Sequence, residues 1–301
     1  MSRHRIGALV ALLLLLAACA DPGSRDDLVS IETGAEIGRA LRGSPGLAAD
    51  AGTVRFEMDV SASEGGQEAL TLTTTGSADR VAGRLAMQLD LAGMLGGVPD
   101  EALPPGMGEP ARVVVAEGTI YLRIPLLDGV SGTSGWLAGS PEEMAGSGAP
   151  EPAGGRGIYD PVALLDVLHG ASDAGESAGG DDVRGVPTIR YSTTVRIADA
   201  LDVIPEDRRV ALQAQLAQLG GGDAPIPIEV WVDGDGLPRR LTMSFADPAS
   251  AGAAEEVSVT ITIELFDYGL PVSIAVPRPD EVTPYGEAME AMARAFLESG
   301  A

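Results

Sequence analysis

Apolar and polar side chains alternate from residue 54: Val54, Phe56, Met58 and Val60 are set against Arg55, Glu57, Asp59 and Ser61. A period of two predicts a strand with one buried face. Leu70 and Leu72 resume the pattern after Gly65-Gly66, and Leu85, Met87, Leu89 and Leu91 after a turn near Asp79 and Arg80, so three strands make a meander. Strands are also predicted over 112–116 and 119–124, joined by the tight turn Glu117-Gly118, and at Trp136-Leu137. Another covers 183–197, with Ile189, Tyr191, Thr193, Val195 and Ile197 on one side. Three more, over 226–232, 237–245 and 256–266, close the fold, and Asp233-Gly234-Asp235-Gly236 turns between the first two.

Helical spacing is confined to short stretches. Leu28, Ile31, Ala35, Ile37 and Leu41 predict a helix interrupted by Gly34 and Gly38. Asp160-Pro161 reads as an N-cap followed by a first-turn proline, opening a helix with Val162, Leu164, Leu165 and Leu168 on its apolar face and Gly170 at its end. Helices are expected over 198–204 and 206–219, the latter carrying Val210, Leu212, Leu216 and Leu219 and stopped by three glycines. A last amphipathic helix over 285–299 carries Ala288, Met289, Met292, Phe296 and Leu297 and is expected to dock on the body. Residues 92–110, 139–157 and 171–182 read as loops; the first is apolar and methionine-bearing, either packed on the core or acting as a flap.

The apolar run from Ile6 to Leu16, behind Arg3 and Arg5, is too short to span a bilayer. It ends in Leu16-Ala17-Ala18-Cys19, which holds the chain's only cysteine and resembles the lipobox of bacterial lipoprotein precursors. That resemblance implies a signal peptide over 1–18 and a mature chain starting at an acylated Cys19. Two or three acyl chains anchor a protein stably where one does not. Residues 19–27 then form a lipidated tether, 28–283 one domain, and 284–301 the C-terminal helix. The protein is expected at the cell membrane, lipid-anchored on the extracytoplasmic face, with palmitate or similar chains on a diacylglyceryl cysteine.

Charge narrows the partners. All 20 basic residues are arginine against 44 acids, for a formal charge of −24, and loss of Arg3 and Arg5 with the signal makes it −26. Such a surface repels nucleic acid and anionic headgroups. Two tryptophans, five tyrosines and four phenylalanines are few for sugar or single-strand platforms.

No catalytic signature emerges. His169 is the one histidine after residue 18, and it closes a predicted helix, where histidines interact with terminal carbonyls. Gly129-Val130-Ser131-Gly132-Thr133 fails as a nucleophile elbow at its last position. Asp233 to Gly236 starts like a calcium loop, but Arg239 and Arg240 stand where ligands would follow, so it reads as a turn. Gly220 to Gly222 lack the lysine of a P-loop. The chain is expected not to be an enzyme and to need no metal or cofactor.

The order of elements, with Val113 to Leu122, Asp160-Pro161, Val183 to Tyr191 and Val230 to Leu241, resembles the LppX/LprG family of actinobacterial lipoproteins over about Thr53 to Val282. The family is similar in fold to the LolA and LolB carriers. The resemblance implies an α+β fold: a strongly curved antiparallel β-sheet, or half-barrel, with helices covering a concave face that holds acyl chains. Lining residues would be Phe56, Met58, Leu72, Met87, Leu89, Val115, Leu122, Tyr191, Val230 and Met243 on strands, and Leu164, Leu168 and Leu216 on helices. Two functions follow. The first is a tethered carrier of lipid or glycolipid acyl chains in envelope transport, with a membrane transporter as a possible partner. The second is a regulator of membrane proteins with a filled core, acting through its acidic surface.

Overall fold

A computed structural model describes residues 33–65, 67–91, 106, 108–127, 135–146, 161–206, 208–209, 212–213, 224–246 and 257–298. The proposed signal, Cys19, the tether, most of 92–110, Asp160, the sequence around Ser131, and Leu216 lie outside these residues.

Two antiparallel meanders make the sheet. The first runs β1 (Thr53–Glu64), β2 (Gln67–Asp79), β3 (Arg84–Leu89), β4 (Ala111–Ala116), β5 (Thr119–Arg123) and β6 (Trp136–Gly139). The second runs β7 (Glu176–Val183), β8 (Val186–Val195), β9 (Ile226–Asp233), β10 (Pro238–Ala246) and β11 (Val257–Phe266). β1 pairs with β11 and fuses them. A short β12 (Val282–Pro284) adds parallel to β6, giving twelve strands in the order β12-β6-β5-β4-β3-β2-β1-β11-β10-β9-β8-β7. The result is a curved α+β half-barrel, mostly antiparallel and not closed.

Helical elements cover the inner face. α1 (Gly34–Asp50) begins with a capping box in which Thr33 and Glu36 satisfy each other's backbone N–H groups. It runs nine residues past its expected end at Leu41, through Pro45. Pro45 has no N–H to give the Leu41 carbonyl, and the buried Ser44 hydroxyl donates to that carbonyl instead, at 2.8 Å. Gly34 and Gly38 do not interrupt this helix. A Cβ on Gly38 would stand 2.6 Å from the Ser172 carbonyl oxygen, and one on Gly34 would meet the Asp173 carbonyl, so both let the 172–175 backbone approach closely.

The segment Pro161–Gly170 is a 3-10 helix over its whole length, where an α-helix is expected from the sequence. Val162, Leu164, Leu165, Val167 and Leu168 are all buried, so apolar side chains surround it instead of forming one stripe. It packs on α1, on α3 (Ile197–Leu201), on β1 and on β8, while α1 reaches β7 and β10. Ile197 therefore opens a helix and does not end a strand. α2 (Pro141–Gly146) falls in a stretch expected to be loop. α4 (Tyr285–Glu298) docks on β6 as expected, through a small core of Leu137, Tyr285 and Ala288.

The predicted strand over 183–197 breaks at Arg184-Gly185. Both residues have positive φ, as a two-residue hairpin turn requires, and Glu117-Gly118 matches them. The turn reveals β7, expected to be loop because all its residues before Val183 are exposed and none carries a large apolar side chain. Acids and a register shift between Ser177 and Gly180 suit an edge strand, since both discourage pairing with another chain. The loop after Asp233 is the expected turn: its carboxylate accepts from the Asp235 and Leu237 backbone N–H groups at 3.0 Å and from Arg239 at 2.6 Å.

On the outer face, direct register aligns Arg123, Arg112, Gln88, Thr75, Glu57, Glu264, Arg240, Trp231 and Arg190 in one row across nine strands. Glu57 opposes Glu264 at the β1–β11 seam, a like-charge pair that destabilises a sheet. Arg184 reaches from the β7–β8 turn to both, at 2.8 and 2.7 Å, and Arg240 holds Glu264 from the other side. Burial by itself raises the Glu264 carboxyl, but the hydrogen bonds from Arg240 and Arg184 outweigh it and hold the group below its ordinary value.

A depressed carboxylate stabilises the fold above the unfolded value and loses that contribution as pH falls through the folded one. Arg184→Gln is therefore expected to cost about 1 kcal/mol at neutral pH, both partners being partly exposed. It should also flatten the loss of stability on acidification. Urea unfolding across acid pH checks this, and Glu57→Gln in the same chain should restore part of the loss. An unchanged acid limb would contradict the arrangement.

Candidate functional site

The inner face is largely apolar, because alternate residues of every long strand point into it, with Thr74 and Thr193 as buried polar members. Phe56, Met58, Met87, Leu122, Leu164, Leu168, Tyr191, Val230 and Met243 all join a single buried cluster, with Leu89 and Val115 half-buried against it. Leu72 is also buried. Of the predicted lining, only Leu216 lies outside the described residues. Residues that the prediction passed over, among them Ile37 and Leu41 on α1 and Leu241, Ile261, Ile263 and Leu265 on strands, belong to the same cluster. The strand members follow the same alternation and were legible by the same rule.

The helices cover the two halves of the face unequally. Where the 3-10 helix and α1 meet the sheet, Phe56, Met58, Val230 and Met243 on strands and Leu164 and Leu168 on the 3-10 helix are at most 1% exposed and serve as packed core. The inward residues of β3 to β5 continue the apolar surface beyond the elements these helices chiefly pack on; Leu85, Met87, Val113, Ile120 and Leu122 are buried there too, and Leu89 and Val115 are half-buried. Close packing at Gly76 holds the boundary. It lies opposite Phe56 on the neighbouring strand, and a Cβ there would come within 2.5 Å of the Phe56 ring.

Among the described residues, the helical cover carries a buried carboxylate. Asp166, on the 3-10 helix, is 3% exposed; Arg208 donates to both its oxygens at 2.9 and 3.0 Å, and His169 Nε2 stands 3.8 Å away. Burial pushes the Asp166 carboxyl above its ordinary value, and the opposing pull of Arg208, His169 and Arg80 does not cancel it. His169 thus faces a carboxylate at its helix end. Among the described residues no hydroxyl or thiol hydrogen-bonds to it. No group of three or more metal-ligating side chains occurs among the described residues, and no described helix is long and apolar enough to cross a membrane.

No family model matches the chain, and no curated protein matches it. Among solved structures, LprF from Mycobacterium bovis aligns with 82% of this chain and 99% of its own, at 16% identity and a TM-score of 0.47. The Mycobacterium tuberculosis lipoprotein LppX aligns with 79% of this chain and 99% of its own, at 12% identity and a TM-score of 0.42. A putative outer membrane lipoprotein-sorting protein domain from Vibrio parahaemolyticus covers 77% of this chain and 94% of its own, at 11% identity and a TM-score of 0.29.

Removing Arg208 would leave the buried Asp166 charge without its main partner. Arg208→Gln is expected to destabilise the protein by about 1–3 kcal/mol at neutral pH. Because the variant's Asp166 carboxyl is pushed still further above its ordinary value, the deficit should shrink on acidification as the group takes up its proton. Thermal melting at acid and neutral pH measures it; a deficit independent of pH would contradict the assignment.

Proposed function

We propose that the protein is a lipoprotein, anchored at the membrane through acylated Cys19, that holds lipid or glycolipid acyl chains on the apolar inner face of its half-barrel. Its task on this reading is to shield those chains during envelope lipid transport, on the extracytoplasmic side. The supporting observation is that the inward apolar residues of β3 to β5 lie beyond the elements on which the 3-10 helix and α1 chiefly pack. Burial there is non-directional, at about 25 cal/mol per Å² of apolar surface, so it suits hydrocarbon better than a polar substrate. The lining is narrower than the full set of inward residues. Met87, Leu89, Val115 and Leu122 would touch the chains, while Phe56, Met58, Val230 and Met243 would form the wall behind them.

One observation favours a second reading. The near-complete burial of Phe56, Met58, Leu164, Leu168, Val230 and Met243 is what a filled core shows, and it fits a regulator of membrane proteins that carries no ligand.

Native mass spectrometry of the protein purified from an envelope-bearing host, followed by solvent extraction, separates the two. A stoichiometric lipid is the expected result; an empty protein, still empty after incubation with envelope lipids, favours the regulator. Leu89→Asp should lower lipid occupancy at least about tenfold through the cost of a charge on an apolar wall, while outward Gln88→Asp leaves it unchanged. Equal occupancy in both variants would remove β3 from the lining. Cys19→Ala should move the protein from the membrane pellet to the soluble fraction in high salt. Retention in the pellet would refute the lipid anchor.

A further inference from the structure

The outer face holds a cleft that the acyl-chain reading does not use. Between β11 and β12, residues 267–281 carry the chain from the middle of the sheet to its far edge. They leave β11 tied to β1, where the Gly269 N–H donates to the Thr53 carbonyl and the Thr53 hydroxyl donates to the Leu270 carbonyl. Farther along, Ser273 lines a cleft of about 400 Å³ together with β1 to β4, mostly through their outward residues, although the inward Phe56, Met87 and Val113 border it as well. Thr75 and Gln88 supply polar groups on its sheet side, and Trp136 and Phe266 supply aromatic ones.

Charge in this cleft runs against the rest of the molecule. The protein carries 44 acids and 20 arginines, yet among the described residues the lining contains Arg55 and Arg112 and no acid. Arg55 is already neutralised by Asp267. Arg112 is not: among the described residues it makes no hydrogen bond or ion pair, and it stands directly opposite Arg123 across the β4–β5 pairing. Arg123 makes an interaction of its own, so of the two it is Arg112 that is left to meet an anion. At the β1–β11 seam the mirror problem, Glu57 against Glu264, is relieved from within the chain by Arg184. At β4 the described residues provide no carboxylate for Arg112.

We propose that this cleft binds a small organic anion: a carboxylate or phosphate carried on a flat ring. Arg112 is its charge partner, Gln88 and Thr75 donate or accept at its polar edge, and the Trp136 side provides the aromatic contact. The volume lies at the low end of ligand sites, enough for one ring with an anionic substituent and too small for a two-chain lipid. Because the site is on the face opposite the acyl-chain wall, it stands or falls independently of the lipid reading.

The two tryptophans make the test internal. Trp136 lines the cleft, whereas Trp231 lies on β9, bonded through its indole N–H to Asp181 and flanked by Arg240 and Arg190. Full-length protein labelled with fluorotryptophan, in nonionic detergent micelles, is titrated with phenyl phosphate and followed by fluorine NMR, the resonances being assigned with Trp136→Phe. The Trp136 resonance should shift saturably while that of Trp231 stays in place and reports an intact fold. Arg112→Gln should raise the midpoint about tenfold or more, and Arg84→Gln, outside the cleft, should leave it unchanged. The proposal is overturned if Trp136 does not respond at millimolar ligand, if both resonances move together, or if Arg84→Gln weakens binding as much as Arg112→Gln. It is equally overturned if phenol or inorganic phosphate alone binds as tightly as phenyl phosphate.

Discussion

The pairing of β1 with β11 is the contact on which the architecture depends. Each meander is built from neighbours in sequence, but this seam joins residues about two hundred positions apart, through ten pairs from Arg55–Phe266 to Glu64–Val257. Its inner side is conventional: Phe56 against Leu265, Met58 against Ile263 and the half-buried Val60 against Ile261 place apolar side chains opposite one another, and each fully buried member contributes about 1.5–3 kcal/mol. Its outer side sets one carboxylate against another. The sheet tolerates this because an arginine from a remote hairpin sits between them, so the second meander must be correctly folded for the seam to be comfortable. Arg184 also lies over the Phe266 ring at 4.1 Å, joining the ionic contact to the hydrophobic one.

The two faces divide the chemistry. Alternation along each strand sends hydrocarbon inward, where it meets the helical cover, and sends arginine, carboxylate and hydroxyl outward, where register sorts them into rows. The inner face is non-directional and suited to bulk apolar contact. The outer face is specific, because the identity of each neighbour is fixed by pairing. One sheet can therefore present a greasy wall and a charged cleft without either disturbing the other, as the only thing they share is the backbone between them.

Much of this was legible in the sequence, and the misses have physical reasons. Strands with one buried face announce themselves by period, so β1 to β5, β8, β9, β10 and β11 and their inward residues could be read directly. β7 could not, because an exposed edge strand has no apolar period to show. β12 could not, because three residues form a strand only where the crossing segment delivers them to β6. The second half of α1 is hidden by Gly43, Pro45 and Gly46, which read as a break; the repair by Ser44 shows only once the carbonyl that lacks a partner is known. Tight 3-10 winding over Pro161–Gly170 is likewise set by the core that surrounds it. Which inward residues are core and which could meet a ligand depends on where the helices lie, and the outer cleft depends on register across four strands and a segment distant in sequence. Both are tertiary facts.

The seam also has a consequence in time. A chain made from its N-terminus completes the first meander long before residue 257 exists, so β1 waits with its outer edge unpaired while the second meander is still being made. Contacts this far apart in sequence are slow to form, because a large loop must close before they return any stabilisation. During that interval an exposed strand edge with alternating hydrophobic residues is open to the wrong partner. The carboxylates on its outward side, Glu57 and Asp59, then act as a guard: before Arg184 arrives, their unpaired charge discourages a second copy of β1 from docking against the first.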